Sequence, residues 1–121
     1  MEKTIKTDHL ILKTTESKSR DVLNFELYSG NGTQVGLASL EVSREGETVH
    51  LDIYINPEYR RLGYGLEAGD ALIDEIIKGY PKYEIIAAVP CDDEVANRFC
   101  ERLDFIFDCT FADENANIYY M

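Results

Sequence analysis

Apolar and polar residues alternate in several short runs along this chain, the mark of half-buried β-strands. The clearest case is Leu23, Phe25 and Leu27 against Asn24, Glu26 and Tyr28. Runs of this kind predict strands over residues 9–14, 23–28, 34–42, 48–55, 83–89, 105–111 and 117–120. Asn31-Gly32 and Glu45-Gly46 mark tight hairpin turns. Residues 83–89 are apolar at nearly every position, as expected of a strand covered on both faces. Two stretches change period. Residues 66–78 put Leu66, Gly69, Leu72, Ile73, Ile76 and Ile77 on one helical face, with Gly79 and Pro81 as stop signals. Residues 93–103 do the same with Val95, Ala96, Phe99, Cys100 and Leu103, and Asp92, Asp93 and Glu94 sit in the first turn, where the helix dipole favours them. No repeat or low-complexity stretch interrupts this order, so residues 1–121 are expected to form one domain.

Between the predicted strand 48–55 and the first predicted helix lies Arg60-Arg61-Leu62-Gly63-Tyr64-Gly65. Glycines at a strand-to-helix turn let backbone N–H groups approach a ligand with no β-carbon in the way. The first-turn N–H groups of a helix have no partner inside it, and its dipole attracts negative charge. Two arginines add positive charge. The assembly suits a pyrophosphate. It is neither a P-loop, which needs a lysine followed by serine or threonine, nor the Gly-x-Gly-x-x-Gly dinucleotide turn.

With its surroundings, this turn resembles the GNAT superfamily of acyl-CoA-dependent N-acyltransferases. The family pattern is a strand, then Pro-x-Tyr-Arg, then Arg/Gln-x-x-Gly-x-Gly/Ala; here it reads Ile55-Asn56-Pro57-Glu58-Tyr59-Arg60-Arg61-Leu62-Gly63-Tyr64-Gly65. Upstream, the strand with Gly36 near its start is similar to a family strand; downstream, residues 93–105 are similar to the family's last helix. The resemblance runs from about Leu23 to the C-terminus. It implies an α+β fold, a mixed and mostly antiparallel sheet with two main helices, and acetyl-CoA or a related acyl-CoA as cosubstrate, without a metal. By the same resemblance, the backbone of Ile53, Tyr54 and Ile55 pairs with the pantetheine arm. Arg60, Arg61, Leu62, Gly63, Tyr64, Gly65 and Leu66 hold the pyrophosphate, and Asp93 contacts the pantetheine.

The catalytic side is thinner. The family's acid tyrosine falls on Cys100, which either donates a proton to the leaving thiolate or packs as a small apolar residue. A carboxylate common on the preceding strand falls on Ala88. Val49 and Leu51, where other members place a base, are apolar, and His50 and Asp52 alternate onto the opposite face. Asp104 replaces the usual glycine after the helix, so a different turn is expected there. Only residues 15–22 separate the first two predicted strands, where the family places two helices of the acceptor site. A homodimer partner or an open acceptor site would follow.

Composition narrows the reading. Of 121 residues 45% are hydrophobic and 11% aromatic, enough for a packed core without disulfides or metal. Residues 85–89 are the longest apolar run, too short to span a bilayer, and residues 1–13 lack a secretory pattern, so no membrane contact and a cytoplasmic location are expected. Cys91, Cys100 and Cys109 match no disulfide or zinc spacing, and His9 and His50 stand apart. The net charge of −11, from 23 acidic and 12 basic residues, argues against nucleic-acid binding. An acidic surface serves solubility or attracts cationic amines.

The missing base bears on the acceptor. A lysine-like amine of pKa about 10.4 is neutral in about one molecule in 2,500 at pH 7, a cost of about 4.6 kcal/mol; an α-amino group costs about 1 kcal/mol. The expected function is acetyl transfer to a primary amine of a small molecule or peptide, by direct attack. The alternatives are a CoA-binding regulatory or interaction module and a scaffold without cofactor.

Overall fold

A computed structural model describes residues 3–16 and 19–121. Eight strands form one sheet: β1 (Thr4–Lys6), β2 (Leu10–Thr15), β3 (Val22–Ser29), β4 (Gln34–Ser43), β5 (Thr48–Ile55), β6 (Glu84–Pro90), β7 (Ile106–Phe111) and β8 (Ala116–Tyr120). Helix α1 (Tyr64–Gly79) joins β5 to β6, and α2 (Glu94–Arg102) joins β6 to β7. The spatial order is β1-β2-β3-β4-β5-β6-β8-β7, antiparallel throughout except for β5 and β6. The expected mixed, mostly antiparallel sheet with two main helices is therefore observed. The residue 15–22 connection includes Ser17 and Lys18, which lie outside the described residues.

Alternation decides the core. Leu10, Leu12, Phe25, Leu27, Ala38, Leu40, Val42, Val49 and Leu51 are buried on one sheet face. Helix α1 crosses β2 and β5 on that face, with Ala68, Gly69, Leu72, Ile73 and Ile76 turned inward. Helix α2 lies beside it: a Cβ on Gly69 would stand 2.8 Å from Leu103 Cδ1 and 3.5 Å from Ile53 Cδ1. The other face of β5 carries His50, Asp52 and Tyr54, all exposed.

Several expectations need correction. Both helices share one face, so β6 is covered on one side only, with Ile85 and Ala87 buried but Ala88 exposed. Ile77 and Val95 point outward, 52% and 73% exposed, because each sits at the margin of its helix stripe; Ala68 is the buried position that glycine-weighted reading passes over. Helix α1 starts two residues early, at Tyr64, and runs through Gly79, where Tyr80 N–H closes onto Ile76 O at 2.7 Å. In the β4–β5 hairpin Glu47, not Gly46, takes the left-handed conformation (φ 53°). Asp104 keeps the turn that a glycine would make. At φ 69° it lets its N–H bond Glu101 O (3.0 Å) while Phe105 N–H bonds Cys100 O (3.0 Å), a Schellman ending with an aspartate in the glycine's place. The short strand β1 was absent from the sequence pattern, being only three residues with one half-buried.

Candidate active site

Strands β5 and β6 pair over three positions only, Thr48 with Glu84, Val49 with Ile85 and His50 with Ile86. Beyond His50 they diverge, and the β6-facing edge of β5 from Leu51 to Ile55 has no strand partner. An unpaired strand edge inside a sheet is a place for an extended ligand to add main-chain hydrogen bonds. A cavity of about 70 Å³ opens in this fork, lined by Leu51, Asp52 and Ile53 of β5, Ala87, Ala88 and Val89 of β6, and Ala96, Phe99 and Cys100 of α2.

The chain leaves β5 through Asn56, makes a short 3-10 turn over Pro57–Tyr59, and reaches α1. Arg60 is tied to its own strand: Nε donates to Ile55 O at 2.8 Å, and the guanidinium carbon lies 5.2 Å from the Tyr54 ring centre. Arg61 and Gly63 both adopt positive φ, 67° and 83°. The first bond of the helix runs from Glu67 N–H to Gly63 O at 3.0 Å. The N–H groups of Arg61, Leu62, Gly63, Tyr64, Gly65 and Leu66 have no partner among the described residues. Six consecutive free amides at a helix start, flanked by two arginines, form a ready anion cradle.

Within the chain itself the two glycines play different parts. A Cβ on Gly63 would meet nothing within 4 Å, so Gly63 is required by its left-handed backbone. Gly65 lies inside α1, where a Cβ would come 2.9 Å from Phe99 Cε1; it lets α2 approach α1. Gly36 is the tightest glycine: a Cβ there would stand 2.2 Å from Tyr54 O. It lets β4 press against the part of β5 that borders the fork.

Asp93 caps α2, its Oδ1 accepting from Ala96 N–H at 3.0 Å. Asn97, which sequence reasoning passed over, does more. Its Nδ2 donates to Pro90 O (2.9 Å) and Asp93 O (2.7 Å), while its Oδ1 accepts from Asn117 Nδ2 (2.8 Å) and Tyr119 OH (2.7 Å). One amide thus fixes α2 to β6 and β8 at the rim of the fork. Only a polar residue on an inward helical position hinted at it.

Cys100 is buried, and burial, with Glu101 next, pushes its thiol up to about 11. Tyr119 is raised too, by burial first and then by Cys100 and Glu101. On the other side of the cradle, Glu67 receives Thr7 Oγ1, His9 N–H (2.7 Å) and His9 Nδ1 (2.8 Å). Burial alone would raise the Glu67 carboxyl, but these bonds outweigh it and leave it lowered. His9 is raised, by the Glu67 hydrogen bond first. Among the described residues no cluster of three metal-ligating side chains occurs, and no helix is long and apolar enough to cross a membrane.

The profile of the acetyltransferase (GNAT) family matches residues 6–105. The chain belongs to this family. Among solved structures, this GNAT chain is similar to RimL, a ribosomal L7/L12 α-N-protein acetyltransferase, with TM-score 0.85 at 11% identity over 100% of this chain and 94% of that one. It is similar to the spermidine/spermine N-acetyltransferase SpeG from Vibrio cholerae, solved with manganese ions, with TM-score 0.77 at 16% identity over 86% and 66%. A spermidine N-acetyltransferase from Vibrio cholerae, solved with CoA and spermine, gives TM-score 0.74 at 16% identity over 84% and 64%. No curated protein matches the chain.

Proposed function

We propose that this GNAT chain moves an acetyl group from acetyl-CoA, or a related acyl-CoA, to a primary amine by direct attack. The run of six partnerless amides, residues 61–66, beside the open edge of β5 carries the reading. The cradle takes the pyrophosphate, with Arg60 and Arg61 adding charge. The pantetheine lies along Ile53, Tyr54 and Ile55, and passes the capped end of α2 at Asp93. That path leads the thioester into the cavity bounded by Leu51, Ala88 and Cys100. The thioester supplies the activated acetyl group; the protein's part is to hold it and exclude water. Family membership and the amines named for the similar structures support an amine acceptor.

Calorimetry with CoA tests the cradle. Gly63→Val forces a β-branched residue into the left-handed region, distorts the cradle and is expected to abolish CoA binding. Equal affinity in both proteins would refute the pyrophosphate assignment. The same reading makes residues 1–121 one acyl-CoA-binding unit, at work in the cytoplasm, where its three free thiols stay reduced. A homodimer would wall the acceptor side that the short connection after β2 leaves open. Light scattering that shows a monomer at high concentration removes the dimer.

A further inference from the structure

Asp52 breaks a local rule. Aspartate is poorly suited to strand interiors, yet Asp52 occupies the middle of an eight-residue strand inside the sheet, opposite Ser39 of β4. No hydrogen bond or ion pair among the described residues offsets it. It sits two residues beyond the last β5–β6 pair, His50 with Ile86, so the continued register would set it against Ala88. Both residues line the cavity of the fork, and Ala88 is too small to close it. Of the residues around that cavity, Asp52 and Cys100 alone are titratable. Cys100 belongs to α2 on the covered face, whereas Asp52 alternates onto the open one.

Resting on the acetyl-transfer reading above, we infer that Asp52 is the acceptor-side catalytic residue, which draws a cationic amine to the open mouth of the fork and takes its proton during attack. A carboxylate need not deprotonate the free ammonium. The fraction of neutral amine attacks the thioester carbonyl, the C–N bond forms, and the nitrogen becomes cationic and far more acidic than the free ammonium. Its proton passes to Asp52. The C–S bond then breaks, the thiolate leaves and takes a proton from water, and Asp52 returns its own proton to water. The overall change is acetyl-CoA plus amine to amide plus free CoA thiol, with no net proton held by the protein. The covered face cannot admit the amine, because Ala96, Phe99 and Cys100 of α2 close it.

The test follows acetyl-CoA binding and acetyl transfer to spermidine and to a serine-initiated peptide. Asp52→Asn keeps the side-chain shape and is expected to bind acetyl-CoA within about twofold of the parent while kcat/KM for the better amine falls about 100-fold or more, the scale of one proton-handling group. Asp52→Glu should recover part of the rate. Glu41→Gln removes an exposed carboxylate of β4 paired across from His50, outside the fork, and should leave the rate unchanged. An Asp52→Asn protein as fast as the parent, or equal losses in both variants, would overturn the assignment and leave the acetyltransferase reading intact. A parent protein that binds acetyl-CoA but acetylates neither amine overturns it as well. A parent that does not bind acetyl-CoA defeats the acetyl-transfer reading itself.

Discussion

Replacing Gly36 by alanine should show that the fork is held open by the backbone contact between β4 and β5. The added Cβ would stand 2.2 Å from Tyr54 O, 3.1 Å from Ile55 Cα and 3.2 Å from Ile55 Cδ1. A carbon–oxygen contact settles at about 3.3 Å or more, so the strands must part by about 1 Å. The nearest atom is a carbonyl oxygen, which no rotamer change can move aside. A 1 Å separation stretches the bonds at this end of the ladder beyond hydrogen-bond range, among them Asn56 N–H to Val35 O at 2.8 Å. Overpacking costs about 1–3 kcal/mol and each lost hydrogen bond about 1 kcal/mol. A total of about 3 kcal/mol is expected. For 121 residues, an unfolding entropy of about 2.1 cal/mol/K per residue sums to about 250 cal/mol/K, so Tm should fall by about 12 °C. Scanning calorimetry reads this directly, and calorimetry with CoA should show a weaker complex because the edge at residues 53–55 moves with the strand. Gly30→Ala is the control: it has no positive φ and open space around it, so its Tm should stay level or rise slightly. A fall of under 4 °C in Gly36→Ala would refute the argument that this glycine sets the strand contact.

Asp104→Gly removes the strain of a left-handed aspartate from the end of α2 and should raise Tm by about 4 °C, for about 1 kcal/mol recovered; an unchanged melt would mean the aspartate is unstrained there. His9→Ala tests the tie between β2 and α1. The His9 pKa is raised in the fold, so its stabilising contribution is complete below the unfolded value of about 6.5 and is lost as pH rises through the folded one, while that of the lowered Glu67 is lost only in acid. The Tm gap between parent and His9→Ala should therefore narrow from pH 6 to pH 9; a constant gap would remove the ion pair as its cause. Cys100, with its thiol near 11, should resist iodoacetamide at pH 8 far longer than in urea, as mass spectrometry of the labelled peptides would show; rapid native labelling would contradict its burial.

The sheet was legible because its face is written in alternation. Phe25 and Leu27, or Val49 and Leu51, can only point one way, and the strand limits fell within a residue or two of the observed ones. The glycine turn was legible as a site but not in its mechanics. Sequence shows that Gly63, Gly65 and Gly36 lack a Cβ, but only the fold shows where each Cβ would have gone: into solvent, into Phe99 and into Tyr54 O. Periodicity likewise cannot tell how wide a helix stripe will be buried. Ile77 and Val95 belong to the apolar pattern and yet face outward, each at the margin of its helix stripe and outside the buried set of its helix.

Asp52 shows the deeper reason for the gap between the two readings. Alternation places it correctly on the face opposite the helices, and a residue opposite the helices reads as a solvated surface position. That inference holds for a closed sheet, where the two faces are separated by a continuous ladder. It fails where the ladder splits. After His50 and Ile86 the strands are no longer paired, and a side chain on the open face borders the same cavity as Cys100 on the covered one. The split is a property of strand pairing over long sequence separation, set by where α1 returns the chain to β6 and where Asn97 ties α2 to β6 and β8. No local pattern around Asp52 encodes it. A polar residue that violates strand propensity without a partner is the one trace it leaves in the sequence, and that trace gains meaning only once the fork is known.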